Sequence, residues 1–254
     1  MLSRKVVIGL GVCVVAASLA GCAAAPRKGS SGERRMHYQV NRLQEPIVID
    51  ANWDKPVWRE TKPLELGYYV GKQPEHMPKV QAKLGYDDEH VYVIWRVVDR
   101  YVKAVATENQ GPVYKDSCAE FFFTPDAEVD GGYFNLEMNC GGTMLFHFAV
   151  VPRQGSPIDA ADIAKMEVAH SLPKRVDPEI EKPTTWTIEY RLPVSILSKY
   201  YPGVKKPAPG VVWRANFYKC ADLTSHPHWL TWSYLDSPRT DFHTPKSFGT
   251  IEFR

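Results

Sequence analysis

The chain has 254 residues, 44% hydrophobic and 12% aromatic, enough apolar material to enclose one sizeable core. Its 31 basic and 29 acidic side chains leave a formal charge of +2, which excludes the basic footprint that nucleic acid demands.

The first element is a targeting segment. Arg4-Lys5 supplies a positive start, and Val6 to Leu19 is apolar but too short to span a bilayer comfortably. It runs into Leu19-Ala20-Gly21-Cys22, which resembles the bacterial lipoprotein box. That resemblance implies a signal peptide over residues 1–21, cleavage before Cys22, and a lipid on the Cys22 thiol that anchors the protein in a membrane outside the cytoplasm. Ala23 stands where an aspartate would resemble an inner-membrane retention signal, so the outer membrane is favoured in a cell with two membranes. A plain secretory signal with an incidental cysteine is the alternative. Residues 22–36 form a flexible tether, Ala-Ala-Ala-Pro-Arg-Lys-Gly-Ser-Ser-Gly-Glu-Arg-Arg between Cys22 and Met36, without apolar periodicity. One folded unit follows over 37–254.

That unit reads as strands. Val80–Tyr86 alternates, Asp87-Asp88-Glu89-His90 is a tight connection, and Val91–Val98 is apolar on both faces, as in a central strand between two layers. Asp116–Phe123, Tyr133–Asn139, Met144–Val151, Trp186–Leu192, Trp213–Tyr218 and Phe248–Phe253 add further strands. Pro193 opens a short helix over Val194–Tyr200. Twenty prolines and 17 glycines break the rest into loops. The fold class is therefore all-β: a single antiparallel β-sandwich with one short helix.

Alternation sorts the side chains of four strands. One face collects Phe121, Phe123, Phe134, Leu136, Met138, Trp213 and Phe217, while Glu120, Asn135, Glu137, Glu189, Arg191, Arg214 and Asn216 fall on the other. A face of mixed charges and amides on a greasy sheet suits a polar, neutral guest, and a sugar fits that description. A pyranose has an apolar face and a rim of hydroxyls, so its site needs flat aromatic area beside groups that donate and accept.

Several segments carry a family resemblance. They are Ile49-Asp50-Ala51-Asn52-Trp53-Asp54-Lys55-Pro56-Val57-Trp58, Tyr86-Asp87-Asp88 before Val91-Tyr92-Val93, Asp116-Ser117-Cys118-Ala119-Glu120-Phe121-Phe122, Trp186-Thr187-Ile188-Glu189-Tyr190-Arg191-Leu192-Pro193, and Phe242-His243-Thr244-Pro245-Lys246-Ser247-Phe248-Gly249. In this order and spacing the chain resembles the carbohydrate-binding module family 9-like domains, relatives of the DOMON-type sandwiches. The resemblance implies a sandwich that binds poly- or oligosaccharide between aromatic rings, with hydrogen bonds from charged and amide side chains, often with structural calcium. Ala51 replaces the family's usual glycine, and Tyr114 stands where ligand-binding members commonly carry tryptophan.

The candidate ligand-binding residues are Tyr114, Glu120, Asn135, Glu137, Arg214, Asn216, Trp229, Trp232 and His243. Tyr114, Trp229 and Trp232 either wall a site or close the core ends; Trp53, Trp58, Trp95, Trp186 and Trp213 read as core. His226 and His228 read as solvated loop histidines. Calcium would draw on Asp50, Asp54, Asp87, Asp88 and Asp99, which form no contiguous loop motif. Of the folded unit's cysteines, Cys118 and Cys220 fall on the polar face and Cys140 at a strand end. A Cys118–Cys140 or Cys118–Cys220 bridge and plain buried thiols all stay open.

The leading functional expectation is a non-catalytic, membrane-tethered glycan binder that serves polysaccharide catabolism or uptake beside glycoside hydrolases or a transporter. A glycoside hydrolase using Glu120 and Glu137 is the alternative, opposed by Arg191 and Arg214 on the same face, which would lower both carboxyl pKa values. A haem site of the DOMON type would use Met138, Met144 and His147.

Overall fold

The computed structural model describes residues 35–254 apart from 236 and 238. The signal segment, Cys22 and the tether through residue 34 lie outside the described residues. The strands are β1 (His37–Arg42), β2 (Leu64–Glu65), β3 (Tyr68–Tyr69), β4 (Lys79–Tyr86), β5 (His90–Asp99), β6 (Val102–Ala104), β7 (Cys118–Thr124) and β8 (Tyr133–Asn139). They continue with β9 (Met144–Ala149), β10 (Ser156–Pro157), β11 (Glu167–His170), β12 (Val176–Ile180), β13 (Thr184–Pro193), β14 (Val212–Cys220), β15 (Trp229–Thr231) and β16 (Gly249–Phe253). The expected helix is α3 (Val194–Tyr200), capped by Pro193. Two shorter ones, α1 (Pro56–Glu60) and α2 (Ala160–Ile163), escaped the pattern because five and four residues are too few to show a helical period.

Two layers face each other. One runs β10-β9-β8-β7-β14-β16-β1 and the other β1-β4-β5-β13-β11. β1 joins them, pairing in parallel with β16 along its first residues and with β4 at Asn41 and Arg42. Between the layers Phe121, Phe123, Phe134, Leu136, Trp213 and Phe217 of the first meet Val91, Val93, Trp95, Val97, Ile188 and Tyr190 of the second. The Trp95 and Phe217 rings, one from each layer, lie 5.6 Å apart. Alternation thus assigns the inward side chains correctly, and the tryptophans read as core are all buried.

β5 is buried on both faces for a specific reason. Its outward Tyr92 and Ile94 are covered by Leu43, Trp53 and Trp58 in a second, smaller core. Glu189 of β13 pins that cover. Its carboxylate accepts the Asp50 and Ala51 backbone N–H groups at 2.9 and 2.8 Å and the Trp58 indole N–H at 2.7 Å, and pairs with Lys55 at 2.9 Å. Arg191 pairs with Glu167 on the neighbouring strand. Both residues therefore belong to the second layer, not to the polar face of β7, β8 and β14. Alternation tells inward from outward, but not which sheet a strand joins.

Candidate functional site

The outer face of the first layer holds a cavity of about 410 Å³, a volume typical of small-molecule sites. Its floor comes from residues spaced by two along adjacent strands: Glu120 and Phe122 of β7, Tyr133, Asn135 and Glu137 of β8, and Leu145, His147 and Ala149 of β9. The inward positions between them carry Phe121, Phe134, Leu136, Met138 and Phe146, whose burial locks the strands and so the floor. Tyr114, Arg153, Asp222, Trp229, Phe242 and His243 form the walls.

The walls are braced. The Trp229 indole N–H donates to Asp222 Oδ1 at 2.8 Å. The His243 Nδ1 sits 2.7 Å from the Tyr133 hydroxyl, and its ring lies 5.2 Å from Phe122. Tyr114, at the rim in a short 3₁₀ turn, exposes 37% of its surface and offers its ring to solvent. Arg153, also at the rim, pairs with Asp241 at 2.9 Å.

Glu120 and Glu137 stand directly opposite each other in the β7–β8 register. Asn135 Nδ2 donates to Glu137 Oε1 at 3.0 Å, while Glu137 Oε2 is buried without a hydrogen-bond partner among the described residues. Burial pushes the Glu137 carboxyl up to about 7, and burial with the neighbouring Cys220 and Glu137 pushes Glu120 well above the usual range. Burial likewise raises Asp222 and lowers His147, and it brings His243 down to about 4. The expectation of arginine-lowered carboxyls is overturned. Arg191 is in the other layer, and the Arg214 guanidinium is spent on the Phe248 and Gly249 carbonyls. Burial thus shifts the acids and imidazoles of this cavity toward their uncharged forms, in which they both donate and accept.

A model of carbohydrate-binding family 9 matches residues 65–253. The chain belongs to that family. Solved structures agree in fold. A Bacteroides uniformis protein described as carbohydrate-binding superposes with a TM-score of 0.76 at 24% identity, covering 87% of this chain and 100% of that one. A family 9 module of Caldicellulosiruptor kristjanssonii in complex with cellotriose gives 0.60 at 16% identity, over 86% and 94% of the two chains. The same organism's family 9 module with glucose gives 0.58 at 17% identity, over 86% and 96%. No curated protein matches the chain in sequence.

Of the expected ligand-binding residues, this family 9 domain brings Tyr114, Glu120, Asn135, Glu137, Trp229 and His243 around one cavity. Three stand apart. Asn216 is outward on β14 but closes on Ser233, accepting its N–H at 2.8 Å and donating to its carbonyl at 3.1 Å. Arg214 is held as described above. Trp232 is buried in the main core, edge-on to Phe217 at 5.4 Å. Since β15 places Leu230 inward against Lys219, Trp229 faces out and Trp232 faces in.

Sequence reasoning missed Phe122, Tyr133, His147, Arg153 and Asp222 as lining residues. Outward alternation in β7, β8 and β9 could have found the first three. Arg153 and Asp222 sit on loops, where no period applies. His147 faces this cavity, whereas Met138 and Met144 face the core, so the three imagined haem ligands do not converge.

His228 is buried rather than solvated, 2.8 Å from the Lys219 ammonium, and His226 stacks on Tyr101 at 3.6 Å. The aspartates considered for calcium do not converge. Asp50 pairs with Lys55, Asp88 with Arg42 and Asp99 with His76, and Asp87 accepts the Glu89 and His90 N–H groups. The three cysteines of the described residues are unbridged, with Cys118 and Cys220 opposite each other on β7 and β14.

Proposed function

We propose that the protein captures a poly- or oligosaccharide in this cavity without cleaving it, while tethered to a membrane outside the cytoplasm by a lipid on Cys22. The observation that carries the reading is the pairing of an aromatic wall, Trp229 with Tyr114, and a hydrogen-bonding floor of Glu120, Glu137 and Asn135 in one cavity. Stacking suits the apolar face of a sugar ring, and carboxyl and amide groups suit its hydroxyls. The complexes of family 9 modules with cellotriose and glucose support a saccharide ligand. The same complexes, of carbohydrate-binding modules with saccharides, favour binding over hydrolysis.

A glycan array probed with the protein identifies the sugar class, and the reading expects retained glycans whose binding quenches or shifts tryptophan fluorescence. An array without a single retained glycan contradicts it. The tether is tested separately by metabolic labelling with a fatty acid, which Cys22→Ala must abolish. In this setting the protein would hold polysaccharide near hydrolases or an importer during its breakdown.

A further inference from the structure

Two thiols and a carboxyl meet at one edge of the cavity floor. Cys118 and Glu120 are two positions apart on β7 and share its outward face, and Cys220 on β14 stands directly across from Cys118. Their two sulfurs and a Glu120 oxygen all lie within 4.8 Å of one another, with Cys220 Sγ only 2.9 Å from Glu120 Oε1. All three side chains are buried. A second observation points to a ligand at the same place. Glu137, opposite Glu120 and lining the cavity, keeps a buried Oε2 without a partner among the described residues. A sugar site has no use for two thiols, which are weak hydrogen-bonding groups.

We propose that Cys118, Cys220 and Glu120 form a zinc site, with two thiolates and one carboxylate as ligands and a fourth position open to the cavity, within range of Glu137 or water. The donor set decides the ion. Thiolates select borderline or soft cations such as Zn²⁺ over calcium or magnesium. Zinc–sulfur bonds of about 2.3 Å and zinc–oxygen bonds of about 2.0–2.2 Å place tetrahedral ligand atoms roughly 3.5–3.8 Å apart. The present ligand atoms, all within 4.8 Å of one another, lie close to that spacing on two strands paired at Cys118 and Cys220. Zinc enters by displacing the two thiol protons and the carboxyl proton to solvent, so the filled site, two thiolates and one carboxylate on one Zn²⁺, carries one net negative charge. The proposal does not rest on sugar binding.

Cobalt(II), titrated into the purified protein after reduction and metal stripping, is the direct probe. A thiolate-to-metal charge-transfer band should saturate at one equivalent, vanish when zinc is added, and be lost in Cys118→Ser and in Cys220→Ser. Glu120→Gln should keep the band but weaken zinc binding by at least about tenfold. Trp229→Ala should leave the band unchanged, which separates this site from the sugar reading. Should the serine variants fail to fold, X-ray absorption on zinc-loaded wild-type protein decides, with two sulfur neighbours expected. Absence of the band in wild type, an oxygen- and nitrogen-only zinc shell, or a Cys118–Cys220 disulfide that persists in protein from its native cells overturns the proposal.

Discussion

The Trp229 indole donates its N–H to Asp222 across 2.8 Å, so the tryptophan ring beside the cavity is held by a carboxyl that lines the same space. The bond fixes the ring before any ligand arrives, which lowers the ordering cost of stacking. Trp229→Ala should therefore weaken glycan binding by about 2 kcal/mol, roughly thirtyfold in Kd, with little loss of stability. Trp232→Ala should do the reverse, costing about 3–5 kcal/mol of stability because the ring is sealed in the core. Calorimetric titration and thermal melts of both variants check the contrast.

Arg214 is a structural residue in this account. Its guanidinium donates to the Phe248 and Gly249 carbonyls and ties β14 to the approach of β16. Arg214→Met keeps much of the volume but strips both carbonyls of a donor, for an expected loss of about 1–3 kcal/mol in denaturant melts. Glycan affinity, measured at a temperature where the variant is folded, should stay within about twofold of wild type.

Much of this was legible before the fold was known, and the failures share a cause. A period of two separates inward from outward, which is why Phe121, Leu136 and Phe217 fall in the core and Glu120, Asn135 and Glu137 face the cavity. It carries no information on which sheet a strand joins or what covers its outer face. Glu189 therefore grouped with the wrong strands, and Arg214 and Asn216 were assigned to the site although the Gly249 and Ser233 carbonyls take up their donors. The Ala51 turn was legible from the family pattern, since a position that usually holds glycine has φ of 58° here.

Glu189 offers the sharpest stability test. A fully buried carboxylate that holds two backbone N–H groups, an indole and a lysine cannot be truncated without stranding them. Glu189→Ala should cost about 3–5 kcal/mol and release the segment around Trp53 and Trp58. Hydrogen exchange should show faster protection loss at Asp50 and Ala51 than in β7 or β8.

His228 predicts a pH dependence with a definite sign. Burial and the adjacent Lys219 hold its folded-state pKa at about 3, against a reference value of 6.5. Between those values the unfolded chain binds more protons than the folded one, so this residue's contribution falls as pH drops from 6.5 toward 3. His228→Gln lacks the effect. The stability difference between wild type and His228→Gln should be greatest above pH 7 and shift against wild type at pH 5, as read from urea melts at each pH. A difference that is flat across this range would refute the assignment.

The claim on which the rest depends is that a glycan sits on the outer face of β7, β8 and β9. Calorimetric titration of the best array glycan into wild type, Trp229→Ala and Glu137→Ala measures this most directly. The account predicts binding by wild type with one site per chain, and a loss of about tenfold or more in each folded variant. Wild-type affinity in both variants would place the sugar elsewhere and contradict it.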